Sequence, residues 1–164
     1  AAAPARAGRS RRSCQRAVSL SVPVCNWRRA FPGTNLAPEA ATFRKGTPAW
    51  ELHDEIKRRH TDVLIEKNLP GSFTDTCLEP WLQDHAVSSV TIAGYMTQVC
   101  CDTTARQAFH RRYAVNFLSD ATGTLDITNH AGSISAADLH RAILITQQQK
   151  FARVMTTDEW IMEF

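Results

Sequence analysis

Apolar residues along this chain come in short dense runs separated by stretches with helical spacing. The run "VSLSVPVCNW" (18–27) predicts a first strand, which Pro23 pushes toward an edge or a strand start because proline cannot donate to a ladder. "TDVLIEK" (61–67) predicts a short strand through Val63, Leu64 and Ile65. "VSSVTIAG" (87–94) predicts a buried strand ended by Gly94, and "YAVNFLSD" (113–120) another. Between these runs the apolar period changes from two to three or four. Thr76 is placed to cap a helix over "CLEPWLQDH" (77–85). Thr97 is placed to cap one running to about Arg112, with Val99, Ala105, Ala108 and Phe109 as its inward stripe. Ser135 opens a long final helix, "AADLHRAILITQQQKFARV", and "VMTTDEWI" predicts a closing strand or cap.

Strands alternating with helices at this spacing predict right-handed crossovers and a mostly parallel, Rossmann-like sheet covered on both faces, a three-layer α/β/α sandwich. In such sheets the chemistry sits at the carboxyl ends of the strands. Lys67, residues 94–100 and Asp120 all fall there, after three separate strands. Residues 28–50 hold Pro32, Pro38 and Pro48 with Gly33 and Gly46, and predict a long surface loop.

Charge divides the chain further. The formal net charge is +3, but residues 1–38 carry seven arginines and no acid, whereas acids outnumber Lys and Arg from Glu39 onward. Residues 1–17 therefore read as a basic, low-complexity arm on a domain of residues 18–164. Such an arm is a solvated end or a transit-type segment; without aromatic interleaving before Trp27 it is not expected to bind nucleic acid. With 43% hydrophobic and 21% charged residues the body is that of a globular domain, and no apolar run is long enough to span a membrane. The five cysteines, Cys14, Cys25, Cys77, Cys100 and Cys101, lack disulfide-framework or C-x-x-C spacing, which fits a reducing compartment. A cytoplasmic location is expected, or an organellar one if the arm is a transit segment.

The adjacent pair Cys100 and Cys101 poses the chemical question. A thiol attacks as thiolate, which a helix N-terminus or a neighbouring cation favours. Cys100 lies in the first turn after Thr97, and Lys67 ends a strand that would neighbour it; Cys101 points about 100° away, toward the sheet. Asp120 and Thr122 lie at a strand end, where Asp120 caps a turn on the plainer reading. Arg106 and His140, as lone polar helix positions, are expected to face solvent. Trp50, Phe73 and Trp81 are candidates for pocket or core.

Several segments together carry a family resemblance. "EKNLPGSFTDTCLEPWL" and "AGYMTQVCCDTTARQAFHRRYAVNFLSDATGT" resemble the lysine and nucleophile segments of the isochorismatase-like cysteine hydrolases. "GTPAWELHDEI", "AGSISAADLHRAIL" and "FARVMTTDEW" extend the likeness, so that it covers residues 46 to 160. The resemblance implies Cys100 as nucleophile and Lys67 as the group that steadies its thiolate and moves protons. It also implies a cis bond at Tyr95-Met96, with the amides of Met96 and Cys100 as oxyanion hole. Phe73 and Tyr95 would line the pocket. The activity implied is C–N, amide-type hydrolysis of a small-molecule substrate through a covalent cysteine intermediate, without cofactor, by a homo-oligomer. Some relatives hold a metal through His and Asp after the second strand; residues 24–38 contain neither, so no metal is expected.

The pattern also breaks. The family's catalytic aspartate ends its first strand, yet no Asp here precedes Asp54, and "VSLSVPVCNW" looks like the family's second strand. The sheet is therefore expected to lack or alter its central first strand, which would leave backbone groups unpaired: either another segment fills that slot or the chain lacks part of the parent protein. A catalytically impaired relative serving as a scaffold or interaction protein stands as the alternative, and a redox role for the vicinal thiols as a third, disfavoured because adjacent cysteines close a strained ring. Arg112 stands where the family has glycine at a helix end.

Overall fold

The structure is a computed structural model and describes residues 17–21 (backbone only), 48, 51, 54, 63–67 and 69–163. The basic arm up to residue 16, the continuation of the first apolar run beyond Ser21, almost all of the loop 28–50, Trp50 and most of "GTPAWELHDEI" lie outside those residues.

Four parallel strands form the main sheet in the order β1 (Ala17–Ser21), β2 (Ser89–Tyr95), β3 (Ala114–Gly123), β6 (Arg153–Met155). The three steps β1 to β2, β2 to β3 and β3 to β6 cross the sheet in one direction, so right-handed crossovers bring their helices to the same face. Those helices are α1 (Leu78–Asp84), α2 (Asp102–His110) and α3 (Ala136–Thr146). The architecture is the α/β class that the alternation predicts. Val90 and Ile92 of β2 and Val115 and Phe117 of β3 meet Leu78, Leu82, Ala105 and Ala108 in the core beneath these helices.

The slot beside β2 is filled. Ala17–Ser21 pairs with it in register, Ala17 opposite Ser89 and Ser21 opposite Ala93. The run expected to be a second strand thus lies directly against the strand that leads to the cysteines, and the ladder has no gap there. Because the strands are parallel, their carboxyl ends share one rim.

Several boundaries differ from the expected ones, each for a local reason. "TDVLIEK" keeps its alternation, Ile65 and Lys67 buried and Leu64 and Glu66 exposed, but only Lys67 makes a bridge. The final helix stops at Phe151 after a π-helical turn, Gln147–Phe151, and Arg153–Met155 pairs with β3 instead of continuing the helix. A hairpin of β4 (Ile127–Asn129) and β5 (Gly132–Ile134) was not legible, its strands being three residues each. The chain then ends in α4 (Thr157–Ile161), held by a capping box between Thr156 and Glu159. Ser135 caps α3 as expected, its hydroxyl accepting from the Asp138 amide.

β3 carries an irregularity that matters below. Between Ile92↔Phe117 and Gly94↔Thr122, β2 advances two residues and β3 five. Thr122 Oγ1 donates to the Leu118 carbonyl across this bulge at 2.8 Å. Bulges re-aim side chains and carbonyls out of a ladder, and here Ser119, Asp120 and Ala121 are the residues re-aimed.

Candidate active site

β2 ends at Tyr95, and the Tyr95-Met96 peptide bond is cis. The chain then enters a π-helical turn, Thr97–Cys101, which runs into α2. The Met96 carbonyl closes this turn, accepting from Val99 N at 3.1 Å and Cys101 N at 3.3 Å. Thr97 is not the cap: Met96 holds that position, and the Thr97 hydroxyl is instead 2.9 Å from His140 Nδ1.

Cys100 and Cys101 separate by face. Cys101 is 0% exposed and shares with Ala105 and Ala108 the apolar core stripe at helical spacing. Cys100, 6% exposed, begins a second stripe with Thr104 and Gln107. That stripe receives the lysine loop. Thr104 Oγ1 accepts from Ser72 N at 3.1 Å and lies 3.1 Å from Ser72 Oγ. Gln107 Oε1 accepts from Phe73 N at 3.3 Å, while its Nε2 donates to Thr74 Oγ1 at 2.7 Å. Gly71 permits this approach, since a Cβ there would stand 2.2 Å from Gln107 Oε1.

Lys67 is 3% exposed. Its ammonium donates to the carbonyls of Leu69 at 3.1 Å and Pro70 at 2.6 Å, so the charge is held by the same loop that docks on α2. Burying a charge is costly unless such hydrogen bonds compensate. Thr104 and Gln107 were missed by reading residue types alone, although their spacing of four and seven from Cys100 was a signal available in the chain.

Other candidates resolve differently. Phe73 is 6% exposed and belongs to the core, its ring 5.9 Å from Tyr113 and under the Arg111 guanidinium. Those partners lie at the far end of α2 from Cys100. Tyr95 is 44% exposed at the strand-end rim. Trp81 packs against the core and stacks on His85. Thr76 contributes to the start of α1 from one position before the cap, its hydroxyl accepting from Leu78 N. Phe109, expected inward, is 36% exposed and meets Phe151 edge to face.

The polar helix residues are not solvated as expected. Arg106 pairs with Asp102 and lies over the Phe151 ring, and Gln147 donates to the same carboxylate. Asp120 accepts from the amide and hydroxyl of Thr157, fixing the start of α4. Desolvation raises its pKa, but hydrogen bonds from the Thr157 hydroxyl and amide, with one from its own amide, leave the carboxyl below its ordinary value. Among the described residues no three His, Cys, Asp or Glu side chains come together as a metal site.

The chain that carries this cysteine turn and buried lysine loop is matched by a family model. The model for the isochorismatase domain matches residues 2–159. The chain belongs to the isochorismatase family. An isochorismatase-type structure from Burkholderia xenovorans superposes with a TM-score of 0.74 at 40% identity, covering 76% of this chain and 60% of its own. Among curated family relatives, the secreted isochorismatase effector Isc1 of Verticillium dahliae is 32% identical over 120 residues, 73% of this chain and 61% of its own length. Nicotinamidase 3 of Arabidopsis thaliana is 34% identical over 116 residues, 70% of this chain and 54% of its own. This isochorismatase-family chain therefore spans little more than half to three fifths of these relatives.

Proposed function

We propose that this chain is a cysteine hydrolase of small molecules that cleaves a C–N bond of the amide type. The observation that carries the reading is the docking of the Lys67 loop, through Ser72 and Gln107 contacts, on the helical face that Cys100 opens. Family membership supports it, as do relatives named nicotinamidase and ureidoacrylate amidohydrolase.

In this reading the Cys100 thiolate attacks the amide carbon, and the Met96 and Cys100 amides take up the developing oxyanion. Losing one such donor typically costs about 10² to 10³ in rate. Collapse breaks the C–N bond, and the amine leaves with a proton from the Lys67 ammonium. Two N–H bonds of that ammonium go to Leu69 and Pro70 and hold it in the loop that docks on α2. Water then attacks the thioester, gives its proton back to Lys67 and releases the acid, so that one proton travels out and back. Tyr95 forms the rim of the pocket.

The second reading, an impaired relative acting as a scaffold, is favoured by one observation. β1 delivers its carboxyl end to the reactive rim, and the first acid in the sequence is Glu39. Ammonia release from nicotinamide and from ureidoacrylate separates the readings. The hydrolase releases ammonia from at least one of them, Cys100→Ala abolishes release, and Lys67→Ala lowers kcat by at least about 10²-fold. No release together with Cys100 labelling no faster than that of exposed Cys77 assigns the scaffold role.

A further inference from the structure

His140 spans three elements. Its Nε2 lies 3.0 Å from the Ser119 carbonyl and its Nδ1 2.9 Å from Thr97 Oγ1. A carbonyl only accepts, so Nε2 carries the hydrogen; in the neutral ring Nδ1 then accepts from the Thr97 hydroxyl. Ser119 is available because it lies in the β3 bulge, and its own hydroxyl donates to the Met155 carbonyl at 3.2 Å. Thr97 is fully buried and follows Met96 immediately, three residues ahead of Cys100. The imidazole thus ties the entry of the cysteine turn to β3, and through Ser119 to β6.

We propose that His140 is a positioning residue for the nucleophile: by holding Thr97 it fixes the turn on which the Cys100 sulfur and the Met96 and Cys100 amides are mounted. This deepens the hydrolase reading and rests on it for its chemical consequence, although the clamp itself does not. A group on a helix from another part of the chain is suited to this task, because the turn's own hydrogen bonds, to the Met96, Thr97 and Val99 carbonyls, are between backbone groups and leave its first side chain to be fixed from outside. Misplacing reacting groups by about 1 Å can cost on the order of 10² in rate.

Two readouts on the full chain test the clamp. In His140→Ala, hydrogen exchange of residues 97–101 quickens at least tenfold while β2 stays protected, and the midpoint of Cys100 alkylation by iodoacetamide against pH rises toward the ~8.5 of an ordinary thiol, about tenfold less thiolate at neutral pH. His140→Asn, whose Oδ1 stands near Nδ1 and can still accept from Thr97, restores both readouts more fully than His140→Gln, which keeps only the donor toward Ser119. A generally structural histidine would not rank the two amides that way. Thr97→Val reproduces the loss and Thr97→Ser does not, which decides the matter if His140→Ala fails to fold. Unchanged exchange and unchanged labelling in His140→Ala and Thr97→Val overturn the proposal. An ordinary thiol midpoint in the unaltered protein overturns the hydrolase reading instead, and the exchange data still judge the clamp.

Discussion

Arg112 adopts a φ of +68° at the end of α2. The bonds from Arg112 N to Phe109 O and from Tyr113 N to Ala108 O form the six-to-one and five-to-two pair that closes a helix in the left-handed region. Glycine suits that position and arginine is strained in it, as the family resemblance anticipated. Arg112→Gly is expected to stabilise the fold by up to about 1 kcal/mol, part of the relief being returned as unfolded-chain entropy. A higher urea midpoint at unchanged slope checks it. The separation of the two thiols by face was legible at this scale, since one helical step turns Cys101 toward the sheet. The place of Phe109 was not: the stripe that receives the lysine loop narrows the apolar face that Phe109 was expected to join.

The lysine loop is the element on which the site depends. Its backbone approaches α2 so closely that a methyl group on residue 71 would meet the Gln107 amide, which two hydrogen bonds hold in place. Gly71→Ala is therefore expected to push the loop off α2, lowering kcat by at least tenfold with a smaller change in stability, whereas Gly71→Ala combined with Gln107→Ala recovers part of the loss. Steady-state kinetics beside thermal melts distinguish the two. A helix start was read well where the cap has chemistry, as at Ser135, and missed by one residue at Thr76 and Thr97; helix ends were read poorly where the chain offers no Gly or Pro. Ala152 turns extended without either, and the Gln148 side chain accepts from Val154 N to secure the exit.

At the scale of the whole molecule, the alternation of strand and helix was enough to give the class and the parallel sheet. Which strand lies beside which was not, because pairing order is decided by long-range packing that local pattern does not encode. The run 17–21 illustrates this: Pro23 pointed to an edge, which it occupies among the described strands, but its neighbour β2 was not to be read from the run itself. Among the described residues no helix is long and apolar enough to cross a membrane. The expected homo-oligomer is a further proposal that sedimentation of the full chain tests, a monomer at micromolar concentration being the contrary result.

A strand that reaches the reactive rim without a carboxylate changes what should be seen in the flask. In the proposed reaction each departing amine takes a proton from Lys67, and wherever solvent refills that lysine before water attacks, the thioester loses the base that would activate its hydrolysis. Removing a general base typically slows a step by about 10² to 10⁴, so release of the acid would lag behind its capture. The protein is then expected to be found largely acylated during turnover, with an initial burst of amine equal to the enzyme present and an intact mass raised by the acyl group. Intact-mass spectra showing only the unmodified chain while product accumulates would mean that some other residue relieves the lysine of its double duty.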